Sequence, residues 1–370
     1  MTPLDEDWQT LIGLFPSDWQ FLAKNTFAVA RLRGFDSIEN LFRTMLLHVG
    51  CGWSLRETAV HAKVAGLAHV SNVTLLNRLR QSETWLRLLC EELFKENEVC
   101  LEPVVKGWRV RVVDGTLIKE PGKTGSLWRL HYSLRLPSLE CDYFELTPTR
   151  GKNTGERLGR FAVQPGEVIL ADAGYSHPPG IAAVVNRRAD IIVRLNPTSM
   201  PLLDEQGNAF PLSRRLQELR RTGVVGDWAV RLRCGDDLVE GRICAVRKTK
   251  DAIRRAERRI ARRQQQHKIG RANEARKYAC HILVFTTLPS VVSSAAILES
   301  YRRRWQIELT FKRLKSIVRL GHLPKHNDQS SRAWLYGKLF VALLSQKLAR
   351  IGRAISPWGY HRFEATSRWQ

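Results

Sequence analysis

Between residues 107 and 195 the chain changes its apolar period several times. The resulting order of strand-like and helix-like runs limits the available folds more than any other feature. GWRVRVVDGT alternates apolar and polar side chains and stops at Asp114-Gly115, a turn pair. LHYSLRL and CDYFELTPT flank Pro137-Ser138, which predicts a hairpin. A polar stretch, TGERLGRFAV, reads as helical and leads to EVILADAGYS, an apolar run of the kind buried on both faces, closed by Asp172. PPGIAAVVNRR opens with prolines suited to a first helical turn, and ADIIVRLN is a fifth strand-like run. Three strands followed by helix, strand, helix and strand predict an α/β fold with the first and fourth strands side by side. In that arrangement Asp114 and Asp172 emerge at one edge of the sheet.

Residues 1–100 read as helical. SIENLFRTMLLHVG is amphipathic, and SLRETAVHAKVAG opens with a Ser54/Glu57 capping box and ends at Gly66. SNVTLLNRLRQS follows, with Ser71 as its cap. Two short helices around a glycine turn, the second carrying Arg78 and Arg80, fit a helix-turn-helix, which would make 1–100 a DNA-binding region. Residues 197–280 interrupt the α/β rhythm with a hairpin pattern around Gly235-Asp236, then a basic helical arm over 251–277 that includes Arg254 and Arg258. From Arg247 to Lys277 there are 13 Lys and Arg against 3 acids, a net of +10, with few apolar positions to bury. HILVFTTLP is a last strand, Ser293 or Ser294 caps a long helix, and 326–370 forms a short helical tail.

The formal net charge is +23 over 370 residues. Such an excess costs stability through self-repulsion, so a polyanionic partner is implied, with double-stranded DNA first and a membrane surface far behind. No stretch resembles a membrane span, and MTPLDEDWQT lacks the apolar centre of a signal peptide. The seven cysteines are scattered without a CxxC pair, which points to thiols in a reducing cytoplasm rather than to zinc or disulfides. PGKTGS lacks the leading glycine of a phosphate loop, since Leu117 stands there.

The long helix holds YRRRWQIELTFKRLK, in which one acid, Glu308, sits among six cations. At helical periodicity Tyr301, Arg304, Glu308 and Lys315 fall within an arc of roughly 60°. An isolated helix of this kind reads as a solvated basic face; together with Asp114 and Asp172, Glu308 reads as the third member of an acidic trio. Three acids in a basic chain require protons or cations to coexist, and hard carboxylate oxygens suit Mg²⁺ or Mn²⁺. Two such ions activate the attacking group and stabilise both oxygens of a phosphodiester displacement. Asp142 and Glu145, on the hairpin near Asp114, rank below the trio as ligands.

Tyr301, Arg304, Glu308 and Lys315 match the Y-(2)-R-(3)-E-(6)-K signature, and the chain resembles DDE transposases of the insertion-sequence-four family. VVDGT and LADAGY resemble that family's regions around its first two catalytic aspartates. The resemblance spans roughly 40–325. It implies a ribonuclease H-like (retroviral-integrase-like) core over 101–325, with a mostly β insertion over 197–280 and a helical N-terminal DNA-binding region before it. It further implies Asp114, Asp172 and Glu308 as ligands of two Mg²⁺ or Mn²⁺ ions, and Tyr301, Arg304 and Lys315 as holders of DNA backbone. Cut-and-paste transposition of terminal inverted repeats into target DNA, by a homodimer in a synaptic complex on the bacterial nucleoid, is the implied activity. A relative's base-stacking Trp is matched here by Ile282, with Trp228 a weak substitute. Family members continue further after the signature than the 45 residues following Lys325, which reads as a shortened copy. A decayed transposase acting as a DNA-binding repressor, and a stand-alone nuclease, are the competing readings.

Overall fold

The computed structural model of the chain describes residues 3–96, 108–119, 126–267, 278–321, 323–324 and 327–355. Gly122, His322, His326, the arm beyond 267 and the tail beyond 355 lie outside them.

Six helices come first: Pro3–Ile12 (α1), Trp19–Asn25 (α2), Ile38–Cys51 (α3), Leu55–Val64 (α4), Asn72–Gln81 (α5) and Glu83–Lys95 (α6). Local chemistry sets their bounds. Ser37 caps α3 through the Asn40 amide, and Gly52 ends it in a left-handed conformation that a side chain would strain. Ser54 and Glu57 form the expected capping box of α4, and Ser71 accepts from the Thr74 amide at the start of α5. Phe15, Trp19, Phe42 and Trp85 interlock as edge-on and stacked rings, with Phe340 from the far end of the chain completing the group.

The strands are Arg109–Lys119 (β1), Ser126–Leu136 (β2), Cys141–Pro148 (β3), Glu167–Ala171 (β4), Asp190–Arg194 (β5), Leu202–Leu203 (β6), Val225–Cys234 (β7), Asp237–Arg247 (β8) and His281–Thr286 (β9). They form one nine-stranded sheet in the order β3-β2-β1-β4-β5-β9-β8-β7-β6. β1 pairs with β4, and β4 with β5, in parallel; the other neighbours are antiparallel. The first and fourth strands are therefore adjacent, as their order in the chain predicted. The strands of residues 197–280 extend this same sheet through β9.

Both faces of the central strands are covered, which explains their near-continuous apolar runs. On one face Val112, Leu170 and Ile192 pack with the N-terminal helices and with Ser294–Arg302 (α10), Trp305–Ser316 (α11) and Asp328–Ile355 (α12). The alternate residues Val113, Ile169 and Val193 pack on the other face with Pro178–Val185 (α7), Leu212–Glu218 (α8) and Phe161. The remaining helix, Lys250–His267 (α9), is the basic arm.

Three local expectations are corrected. The first strand does not stop at Asp114-Gly115 but runs through that pair, hydrogen-bonded to β2, as far as Lys119. TGERLGRFAV is not a helix: it holds a single turn at Leu158–Arg160, and two glycines within it disfavour anything longer. The long helix after Ser293 is two helices, α10 and α11, separated at Arg303 and Arg304. Among the described residues no helix is long and apolar enough to cross a membrane.

Candidate active site

Asp114 and Asp172 lie side by side where the pairing of β1 with β4 ends. Val113 opposite Ala171 is the last parallel pair of β1 and β4. One residue further β4 ends, while β1 continues beside β2 alone to Lys119. The carboxyl ends of parallel strands are where open α/β sheets bind their ligands.

The break between α10 and α11 lies over this edge. Tyr301, in the last turn of α10, donates its hydroxyl to Asp172 Oδ1 at 3.1 Å. Arg304, in the turn, donates Nη1 to Asp114 Oδ2 at 3.3 Å and Nη2 to Glu308 on α11. Its guanidinium also lies 5.8 Å from the Tyr301 ring centre, a cation–π distance. The other Asp114 oxygen accepts the Gly115 amide at 2.7 Å. Two of the four signature residues therefore contact one aspartate each, Tyr301 on Asp172 and Arg304 on Asp114, and Arg304 ties Glu308 to the pair. Lys315 stands apart, two helical turns beyond Glu308, where burial and then the nearby Lys119 lower its pKa.

The electrostatics of the edge are unbalanced. Burial is the main force pushing Asp114 up to about 7, with Asp172 and Glu156 adding to it and the Gly115 amide and Arg304 opposing. Burial lowers the Arg304 pKa, but Tyr301, Asp172, Glu308 and Asp114 together hold it above the ordinary value. Burial, then the Asp172 charge, raises that of the Tyr301 hydroxyl.

Among the described residues no three His, Cys, Asp or Glu side chains already sit close enough to hold an ion. Arg304 stands between Asp114 and Glu308, and Glu308 is 58% exposed. The donor set nevertheless fits a hard divalent cation. It consists of carboxylate oxygens, and burial, then the Asp172 and Glu156 charges, pushes Asp114 up to about 7, a cost that the charge of such an ion would offset.

The other singled-out residues separate by their partners. Asp142 is committed to Arg111 and Arg135 at 2.8 and 3.0 Å, and Glu145 to Arg160 at 2.8 Å, so both are structural acids here. Trp228 leans over Gly226 and against Phe210, and Ile282 packs into the core from β9, so neither presents a free aromatic face at the edge. Arg78 turns back to the Arg31 carbonyl, and Arg80 reaches Asn77 at 3.5 Å. Arg254 and Arg258 are exposed one turn apart on α9.

Two residues at the edge were missed in the sequence. Arg194, which closes β5, acts on both Tyr301 and Lys248 through its charge. The signal was its position at the end of a buried strand beside that of Asp172. Glu156, in the misread polar stretch, lies against the glycines of both aspartate motifs; nothing local in its sequence marks it.

Residues 146–344 match the family model of the transposase DDE domain, a span that includes Asp172 and Glu308 and begins after Asp114. The chain is 31% identical over 350 residues to the transposase for insertion sequence element IS421 of Escherichia coli, covering 92% of this chain and 93% of that protein. It is equally similar, 31% over 349 residues with the same coverage, to InsL for insertion sequence element IS186A of Escherichia coli K12. A piggyBac transposase in a synaptic complex with hairpin DNA, solved by cryo-EM, superposes with a TM-score of 0.40 at 10% identity, over 92% of this chain and 72% of that one, a likeness too distant to inform this fold.

Proposed function

The chain belongs to the DDE transposases of the insertion-sequence-four type, enzymes that cut DNA, and on that premise we propose that it performs cut-and-paste transposition with Asp114, Asp172 and Glu308 as its acids. DDE transposase domains generally use divalent metal ions; here Asp114, Asp172 and Glu308 would hold two Mg²⁺ or Mn²⁺ ions, which when bound would supply Lewis acidity at the scissile phosphate. The observation that carries the reading is the pair of contacts from the signature: Tyr301 on Asp172 and Arg304 on Asp114.

The chain's own residues do the rest. Arg304 is a planar, permanently charged fork that suits a phosphate as well as a carboxylate. It offsets part of the acids' charge without DNA and would hold the backbone beside the cleaved bond when DNA arrives. Tyr301 fixes the Asp172 carboxylate. Lys315, on α11 beyond Glu308, meets the next phosphates. Arg254 and Arg258 on α9 hold flanking or target DNA through phosphates, and the α4–α5 pair with Arg78 and Arg80 favours the terminal inverted repeats. A homodimer that joins two element ends, working on bacterial DNA in the cytoplasm, completes the proposal.

The test is nicking of a labelled element end in Mg²⁺ or Mn²⁺, beside a binding measurement on the same DNA. Metal-dependent nicks at the end, followed by joining of the freed 3′-OH to target DNA, are expected. Binding without cutting in either ion would instead make this copy a repressor.

A further inference from the structure

The polar loop after β3 is tied down over the acidic edge. Arg129 Nη1 and Thr147 Oγ1 both reach the Thr154 carbonyl, and Arg160 Nε holds the Gly155 carbonyl at 3.1 Å. Between these anchors Glu156 extends towards the strand ends. A Cβ placed on Gly174 would lie 1.9 Å from Glu156 Oε2, and one on Gly115 would lie 3.4 Å from Oε1. Neither glycine has a positive φ, so the backbone does not require them. Gly174, of LADAGY, is small because this carboxylate fills the space a side chain would take, and Gly115, of VVDGT, is in ordinary contact with it. One acid thus lies against the residue following Asp114 and the second residue after Asp172.

Glu156 is not committed elsewhere. Among the described residues its carboxylate has no hydrogen-bond or ion-pair partner, although the chain carries +23. A second polar group faces the same place. Tyr175 is 0% exposed, its hydroxyl has no hydrogen-bond partner, and the charges of Asp114 and Glu156 act on it. A buried hydroxyl without a partner is costly unless something in the working molecule satisfies it.

We propose that Glu156 is a fourth acid of the cleavage centre, which joins Asp114 and Asp172 in holding a divalent cation and is steadied by the Tyr175 hydroxyl. The proposal rests on the reading of Asp114 and Asp172 as cation ligands. It explains in one step the small residue in LADAGY, the unpaired carboxylate and the orphaned phenol.

Cation binding tests it without reference to catalysis. Mn²⁺ is titrated into the full chain without DNA, followed by electron paramagnetic resonance, for the wild type, Asp114→Asn, Glu156→Gln, Gly174→Ala and the exposed control Glu299→Gln. Glu156→Gln should weaken Mn²⁺ binding about 10-fold or more. Gly174→Ala should do so too, with every acid intact, because its methyl group displaces the Glu156 carboxylate. Glu299→Gln should bind as the wild type does. Wild-type affinity in both Glu156→Gln and Gly174→Ala, alongside loss in Asp114→Asn, overturns the fourth acid alone. Wild-type affinity in Asp114→Asn overturns the underlying trio, and the fourth acid with it.

Discussion

Strand β1 carries two acid–arginine clusters three residues apart, and they have opposite characters. Arg111 is 5% exposed; it bonds Asp142 at 2.8 Å, Glu167 at 3.0 Å and the Ala162 carbonyl at 2.9 Å. Asp142 in turn accepts from Ser133 and Arg135, so the group closes on itself inside the sheet. Asp114 has one amide and one long contact to Arg304, shares that arginine with Glu308, and is pushed up to about 7. Buried charge is tolerated when its partners are complete and is costly when they are not. The first cluster therefore reads as architecture. The second is short of positive charge at the place where a cation and a DNA backbone would meet it.

The sharpest way to break this contrast is to remove one charge from each cluster and compare cleavage. Asp114→Asn, Asp172→Asn and Glu308→Gln keep the side-chain size, and metal-dependent nicking should fall by at least about 10²-fold, since displaced reacting groups alone cost that much. DNA binding should hold or tighten, because the edge becomes less negative. If Glu308→Gln nicks as the wild type does, Glu308 is only a charge on a basic helix, and the second cluster shrinks to the two aspartates.

Asp142→Asn is the counterpart. It leaves Arg111 and Arg135 facing an amide in a buried place, which should cost about 3–5 kcal/mol of folding stability. Urea denaturation measures that loss, and nicking per folded molecule should remain near the wild-type level. A stable Asp142→Asn that cannot nick would exchange the roles of the two clusters.

The difference between the clusters was only half legible in the sequence. Strand order placed Asp114 and Asp172 side by side, because apolar runs report strands locally, but the Asp114-Gly115 turn signal was misleading, since β1 runs on beside β2 to Lys119. The signature spacing marked Tyr301, Arg304 and Glu308, yet a helical wheel could not show the break at Arg303 and Arg304 that takes Arg304 to Asp114. Asp142 looked like a spare ligand because its partners, Arg111 and Arg135, lie on other strands, and such pairing is invisible before the register is known. Glu156 was hidden for a related reason: its meaning resides in two glycines, 41 and 18 residues away, that leave room for it. The same polar stretch was misread as a helix, since polarity alone does not separate a solvated helix from an anchored loop.

The smallest expected effect is in pH dependence, and it concerns the second cluster alone. Asp114 has an ordinary value of 3.8 and is raised to about 7 in the folded chain, mainly by burial. Between those values the folded state holds a proton that the unfolded state has released, so stability falls as pH rises and levels off above about 7. From pH 5 to pH 8 this amounts to at most about 3 kcal/mol. Unfolding in urea across that range, without divalent ions, should show the decline in the wild type and a smaller one in Asp114→Asn, so the variant becomes the more stable protein at pH 8. Adding Mn²⁺ at pH 8 should restore much of the wild type's loss, since the ion supplies the missing charge, and should do little for the variant. Parallel pH curves for the two proteins would mean that Arg304 already balances Asp114. In that case the two clusters on β1 would differ in exposure but not in kind.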